Sequence, residues 1–346
     1  MKLVWYFALC VGLIVGCMQY GWSNEHNWTS YFQIRYTNAE DLKGYLALRR
    51  FKLYGQGPFA RGWQYYVQLL YKTNNRSATD GLTLQEFSLI KRLGRARITV
   101  GQFKPPFGME RFTSDWKLAV IDRTQATDRL VPCGSLGDSF ARGRGIQWEA
   151  DLGATDVALG VFDGNGANQR FAGNGPLVVG RAIYESSGVF SSHLHFEAAS
   201  AWRRDRDIDF TAQLPGAPDA YRHFRGRDLR SNVALSLERA HWSMRFECFR
   251  AHYSGRDFSI PDRTADGYYM QFSRAVSSRA ALAARYEVFD PDTSSADYRD
   301  IAWLTLGMNW YIRGDLEKVQ VNYIFKREEL TERDNDALLI QYQRFF

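Results

Sequence analysis

Apolar and polar residues take turns along this chain with a period of two. After the first fifteen residues no run approaches the roughly 18 consecutive apolar residues that a membrane-crossing helix requires. Read for that period, the sequence predicts strands at 30–37, 45–55, 62–72, 82–91, 95–103, 144–151, 156–163, 177–184, 193–201, 231–239, 241–252, 265–275, 279–290, 299–312, 316–327 and 335–346. The alternation is clearest late in the chain: Trp242, Met244, Phe246 and Cys248 interleave with Ser243, Arg245 and Glu247, and Val319, Val321, Tyr323 and Phe325 with Lys318, Gln320, Asn322 and Lys326. One face suits lipid and the other water, although a soluble sandwich would show the same pattern with its apolar face turned to a shared core.

The two ends favour the membrane. Leu339-Ile340-Gln341-Tyr342-Gln343-Arg344-Phe345-Phe346 is an alternating aromatic strand of the kind that closes a barrel and sets rings at the membrane interface. Met1-Lys2 precedes an apolar stretch from Leu3 to Val15 and then small and polar residues, which reads as a secretory leader (1–23) cleaved after Ser23. Ile14-Val15-Gly16-Cys17 fits a lipoprotein-type cleavage box as a rival. The rest, 24–346, shows no repeat, linker or low-complexity tract and is predicted to form a single domain. A mean hydropathy of −0.39 agrees with strands of which only alternate residues meet lipid. The predicted fold is therefore all-β: a transmembrane antiparallel β-barrel of about sixteen strands in a bacterial outer membrane. An even count returns both ends to the periplasmic side.

Two connectors stand out for length, 104–143 and 202–230. A sixteen-stranded barrel encloses a water-filled lumen, so selection needs something to narrow it. The first connector is the expected inward-folded constriction loop.

Nothing in the sequence assembles a catalytic constellation, so no enzyme, cofactor or metal is expected. The six histidines are scattered, and His193 and His195 share a strand face without a third ligand. Asp163-Gly164-Asn165-Gly166 lacks the glutamate and spacing of a calcium loop and reads as a tight turn. Beyond the leader only Cys133 and Cys248 remain, in unrelated contexts, and are not predicted to pair. The net charge of +6 favours anionic partners weakly, and the interspersed signs give no reason to expect nucleic acid.

What remains is charge geometry. With Phe51 and Leu53 facing lipid, Arg50 and Lys52 point into the lumen, and Arg49 must lie near an interface or turn inward at an irregularity. Arg97, Arg245, Arg285 and Lys318 are predicted inward, as are Glu86, Glu149, Glu197, Glu238, Glu247 and Glu287, a mixed wall that also suits bracing ion pairs. The first long connector carries Lys104, Arg111, Lys117, Arg123, Arg129 and Arg142 against Glu110, Asp115, Asp122, Asp128 and Asp138. Arginine suits phosphate because its planar fork donates two parallel hydrogen bonds to two oxygens. The predicted anion-lining set is Arg49, Arg50, Lys52, Arg97, Lys104, Arg111, Arg123, Arg129, Arg245 and Arg285.

Leu48-Arg49-Arg50, the run Gly101-Gln102-Phe103-Lys104-Pro105-Pro106-Phe107-Gly108-Met109-Glu110, Gly160-Val161-Phe162-Asp163-Gly164, and Gly307-Met308-Asn309-Trp310-Tyr311 followed by Asn322-Tyr323 resemble the phosphate-selective porin O and P family over nearly the whole mature chain. The resemblance implies a sixteen-stranded homotrimeric barrel among outer-membrane lipids, with basic residues along the conduction path and an inward-folded loop. By position, Arg49 and Arg50 match the family's arginine pair, Lys104 its loop motif, and Arg123 an arginine later in that loop. Asp163 stands where asparagine is more usual, and the chain is shorter than typical members. The expected function is a passive, water-filled diffusion channel preferring anions such as phosphate. The alternatives are a general non-selective porin, a barrel enzyme and a plugged structural barrel.

Overall fold

Strands that meet lipid on one face cannot leave a row of backbone donors and acceptors open, and a closed sheet has no such edge. The computed structural model closes this way, describing residues 26–40, 42–72, 81–132, 141–169, 175–189, 192–211, 213–294, 300–328 and 334–346. Its strands are β1 (Asn27–Ala39), β2 (Leu42–Pro58), β3 (Trp63–Lys72), β4 (Gly81–Leu93), β5 (Ala96–Phe103), β6 (Gly143–Asp151), β7 (Thr155–Phe162) and β8 (Leu177–Val189). They continue as β9 (Ser192–Ile208), β10 (Phe224–Arg239), β11 (Trp242–Gly255), β12 (Arg263–Ser277), β13 (Ala280–Asp290), β14 (Ile301–Tyr311), β15 (Glu317–Glu328) and β16 (Ala337–Phe345). Each pairs antiparallel with its neighbours in sequence, and β1 pairs with β16 to close the ring. The last strand does so through aromatic contact: the Tyr31 and Phe345 rings stack 4.8 Å apart, and Phe346 donates its N–H to the Ser30 carbonyl at 2.9 Å.

The period of two sorts the side chains. Along β10, Phe224, Asp228, Arg230, Asn232, Ala234 and Ser236 are buried, whereas Leu229, Val233 and Leu235 are exposed on the outside. Trp148, Trp202, Trp310, Tyr184, Tyr286 and Tyr323 share that outer surface, as interfacial aromatics of a barrel should. The predicted leader and Cys133 lie outside the described residues, and no described helix is long and apolar enough to cross a membrane.

One expectation is corrected. The second connector is not a 29-residue-scale loop over 202–230, because β9 runs on to Ile208 and β10 begins at Phe224. Trp202-Arg203-Arg204-Asp205-Arg206 and Arg225-Gly226-Arg227-Asp228-Leu229-Arg230 carry charges on both faces, which hides the alternation. The inward set neutralises itself: Asp228 accepts from Arg203 at 3.0 Å and Arg230 at 2.8 Å, and Arg203 also pairs with Asp205 at 2.5 Å.

Candidate functional site in the lumen

The connector after β5 is held against the inner wall by inward-facing amides and carboxylates. Glu247 accepts the backbone N–H groups of Met109 (2.7 Å) and Glu110 (3.0 Å), capping the single helical turn Met109–Phe112, and also accepts from Tyr269 and Asn232. Glu110 in turn accepts from the backbone N–H and hydroxyl of Thr124, at 3.0 and 2.8 Å, where the short helix Gln125–Leu130 begins. Farther along, Asn322 accepts the Ile121 N–H (2.6 Å), while Asn309, Gln320 and Gln343 donate to the carbonyls of Ala119, Leu118 and Trp116. A backbone carrying no regular ladder of its own must find its partners somewhere, and here the barrel wall supplies them.

This gives the sequence motifs their physical meaning. Asn309 and Asn322 hold the connector's main chain, and Gly307 leaves Asn322 room, since a Cβ there would sit 2.4 Å from the Asn322 side-chain nitrogen. Gly101 has φ +134°, and a Cβ on it would meet the Phe87 carbonyl at 2.2 Å, so only glycine starts the connector at this angle. Phe103 and Phe107 then bury into a cluster that includes Leu130, Phe210, Leu214, Tyr221 and Phe249. Phe210, Leu214 and Tyr221 come from the connector after β9, so that segment packs on the first one, a placement the sequence reading did not anticipate.

Of the predicted cations, most meet carboxylates. Arg50, Lys52 and Arg123 converge on Asp115, with the Lys52 ammonium at 2.5 Å. Burial alone would raise the Asp115 pKa, but Arg123, Arg50 and Lys52 hold it well below the usual carboxylate range. Arg49 is the extra residue of a β-bulge opposite Gln33 and Ile34, and comes within 3.9 Å of Asp122. Arg97 pairs with Glu149 near the narrow-turn end of the barrel. Arg285 pairs with Glu287 at 2.8 Å and donates to the Asp122 carbonyl, Arg245 pairs with Glu238 at 2.9 Å, and Arg129 donates to the Gln125 side chain and lies over the Phe289 ring.

Lys104 and Arg111 differ. Neither makes an ion pair among the described residues: the Lys104 ammonium donates to the Arg111 carbonyl at 3.1 Å and lies 5.5 Å from the Phe112 ring. Arg111 is 1% exposed, and its Nε and Nη2 have no hydrogen-bond partner among the described residues. Burial and the neighbouring Arg142 push Lys104 well below the ordinary lysine value, and burial with Arg142 and Arg123 pushes Arg111 down to about 9. Both line a cavity of about 250 Å³ between the connector and β2–β6, with Tyr54, Tyr66, Gln68, Ser88 and Thr99 on the wall. Its charged lining comprises six cations, Lys52, Arg97, Lys104, Arg111, Arg123 and Arg142, against three carboxylates, Glu86, Asp115 and Glu149. Arg142, which bonds Glu86 at 2.6 Å, was outside the predicted set; its position at the end of the connector, beside β6, was the available signal.

A closed sixteen-stranded barrel with a polar lumen defines an outer-membrane channel of the porin type. The chain belongs to the phosphate-selective porin O and P family, whose sequence profile matches residues 25–344. No curated protein sequence matches it. Among solved structures it is similar to the anion-selective porin of Comamonas acidovorans, at 10% identity and TM-score 0.67, covering 93% of this chain and 99% of that one. A loop-deletion variant of the outer-membrane protein OmpT of Vibrio cholerae gives 12% identity and TM-score 0.64, with 93% and 99% covered. In-vitro folded OmpT in its trimer form gives 10% and 0.61, again with 93% and 99% covered. These likenesses concern the fold.

Proposed function

We propose that this porin passes small anions, phosphate among them, through the space between the folded-in connector and the β2–β6 wall, driven by the solute gradient alone. Lys104 and Arg111 are the binding cations, and Arg142 and Arg123 set the surrounding positive field. Arg50, Lys52 and Arg49 hold the connector's carboxylates Asp115 and Asp122, so their role in permeation is to keep those acids neutralised. Arg97 stands at the mouth, and Arg129, Arg245 and Arg285 brace the connector. The leader through Ser23 is removed on export, and the mature barrel assembles as a homotrimer.

The observation that carries this reading is Arg111, which has no carboxylate partner among the described residues: a guanidinium buried that way is costly unless an anion visits it. Fixed positive charge at a constriction lowers the barrier for anions and raises it for cations. Single-channel recording in KCl with inorganic phosphate titrated in tests it. Phosphate should reduce the chloride current in a saturable manner, and Arg111→Gln should weaken the block. A current indifferent to phosphate in the wild-type channel would leave a general diffusion pore.

A further inference from the structure

Arginines gather on the lipid-facing side of β9–β11, at the end of the barrel opposite the chain termini. Arg204 and Arg206 on β9, Arg225 and Arg227 on β10, and Arg256 just after β11 are all exposed on the outer surface. Arg204 and Arg227 are direct cross-strand partners, an arrangement in which like charges repel. A strand irregularity between Phe224 and Gly226 brings Arg206 and Arg225 to the same edge, and Arg204, Arg206, Arg225 and Arg256 line one groove of about 610 Å³ together with Asp205 and Gly226.

The depth of these residues is informative. One pleat period below the Arg204–Arg227 pair, ~7 Å along the strands, sit the exposed partners Trp202 and Leu229, which mark the apolar band. Arg250 lies deeper still, opposite Ser231, and there the charge is neutralised by Asp266 at 2.5 Å. The shallower Arg204, Arg225, Arg227 and Arg256 make no ion pair among the described residues. Of the nearby acids, Asp205 turns inward to Arg203, Asp207 meets His223, and Asp257 is exposed beside Arg256 without an ion pair to it among the described residues. A deep arginine that is paired, under shallow ones that are not, fits a surface meeting lipid tails below and anionic headgroups above.

We infer that this arginine cluster binds the phosphate groups of a phosphorylated glycolipid in the outer leaflet. Several guanidinium forks converging on one groove can each give two parallel hydrogen bonds to a phosphate, which a single lysine could not. The cluster faces away from the lumen, so it does not belong to the solute path, and the inference holds whichever ion the pore prefers.

Native mass spectrometry of the detergent-solubilised full chain tests this, with a bis-phosphorylated lipid A as probe and its enzymatically dephosphorylated form as control. The wild-type protein should retain the phosphorylated lipid and not the control. The triple variant Arg204→Gln, Arg225→Gln, Arg227→Gln should bind it roughly 100-fold more weakly, at the few-fold loss expected per arginine near an anionic surface. Unchanged single-channel conductance of that variant certifies its fold, and Arg256→Gln alone, outside the strands, should give a smaller loss in the same direction. Equal retention by variant and wild type, equal retention of the dephosphorylated lipid, or displacement by millimolar inorganic phosphate, which would make the cluster a free-phosphate site, each overturns the proposal.

Discussion

Replacing Arg111 with methionine separates function from stability. The side chain is 1% exposed, and among the described residues it makes no ion pair and its Nε and Nη2 find no partner, so no described carboxylate ties its charge to the fold. A unit charge about 5 Å from a passing ion is worth ~1 kcal/mol where water screens fully and ~3 kcal/mol at an effective dielectric of 20. The smaller figure already corresponds to a ~4-fold fall for chloride and a ~4-fold rise for potassium, so the chloride-to-potassium permeability ratio should fall about 16-fold. Methionine preserves length and apolar volume while removing an uncompensated buried cation, so the barrel should melt no lower than wild type. The assay pairs zero-current potentials in a KCl gradient with heat-modified gel migration of the folded barrel. An unchanged permeability ratio together with a lower melting temperature would refute the reasoning, because Arg111 would then be structural.

Asp115→Asn removes the shared acceptor of Arg50, Lys52 and Arg123, and should cost ~3–5 kcal/mol, as breaking buried ion pairs does; denaturant unfolding measures this, and the freed cations should raise anion preference in the same protein. Lys104 is a base whose pKa is lowered, so its positive charge is present at low pH and is lost as pH rises through that value, while the Arg111 guanidinium stays charged. Anion preference should therefore decline on the alkaline side of neutrality, while the Lys104 contribution to folding stability moves oppositely, since the unfolded chain holds that proton more tightly. A permeability ratio flat to pH 10 would contradict this. Gly101→Ala puts a Cβ 2.2 Å from the Phe87 carbonyl at φ +134°, and the yield of heat-modifiable folded barrel should drop sharply.

The strand order and count were legible because lipid and water impose a period of two wherever one face is apolar, as along Trp242–Cys248. The signal failed where both faces carry charge: Arg203, Asp205, Asp228 and Arg230 turn inward while Arg204, Arg206, Arg225 and Arg227 turn outward, and a residue count cannot tell them apart. The cost of a guanidinium in lipid left Arg49 either near an interface or turned inward at an irregularity, since Arg49 and Arg50 could not both face inward on a regular strand, and the structure has the irregularity. Which cations remain unpaired was not legible. Charge alone does not separate Lys104, Arg111 and Arg123 in the sequence, yet Asp115 sits beside Arg123 through the fold of the connector and the other two meet no carboxylate among the described residues. The asparagines of β14 and β15 look like ordinary lumen residues until the connector's backbone is seen to end on them.

Lys104 and Arg111, which make no ion pair among the described residues, should make the channel prefer anions. The zero-current potential of the purified wild-type channel across a KCl gradient in a planar bilayer reads this preference without any substitution. Chloride should carry the larger share of the current; a potential of the sign set by potassium would mean that these cations do not set the selectivity.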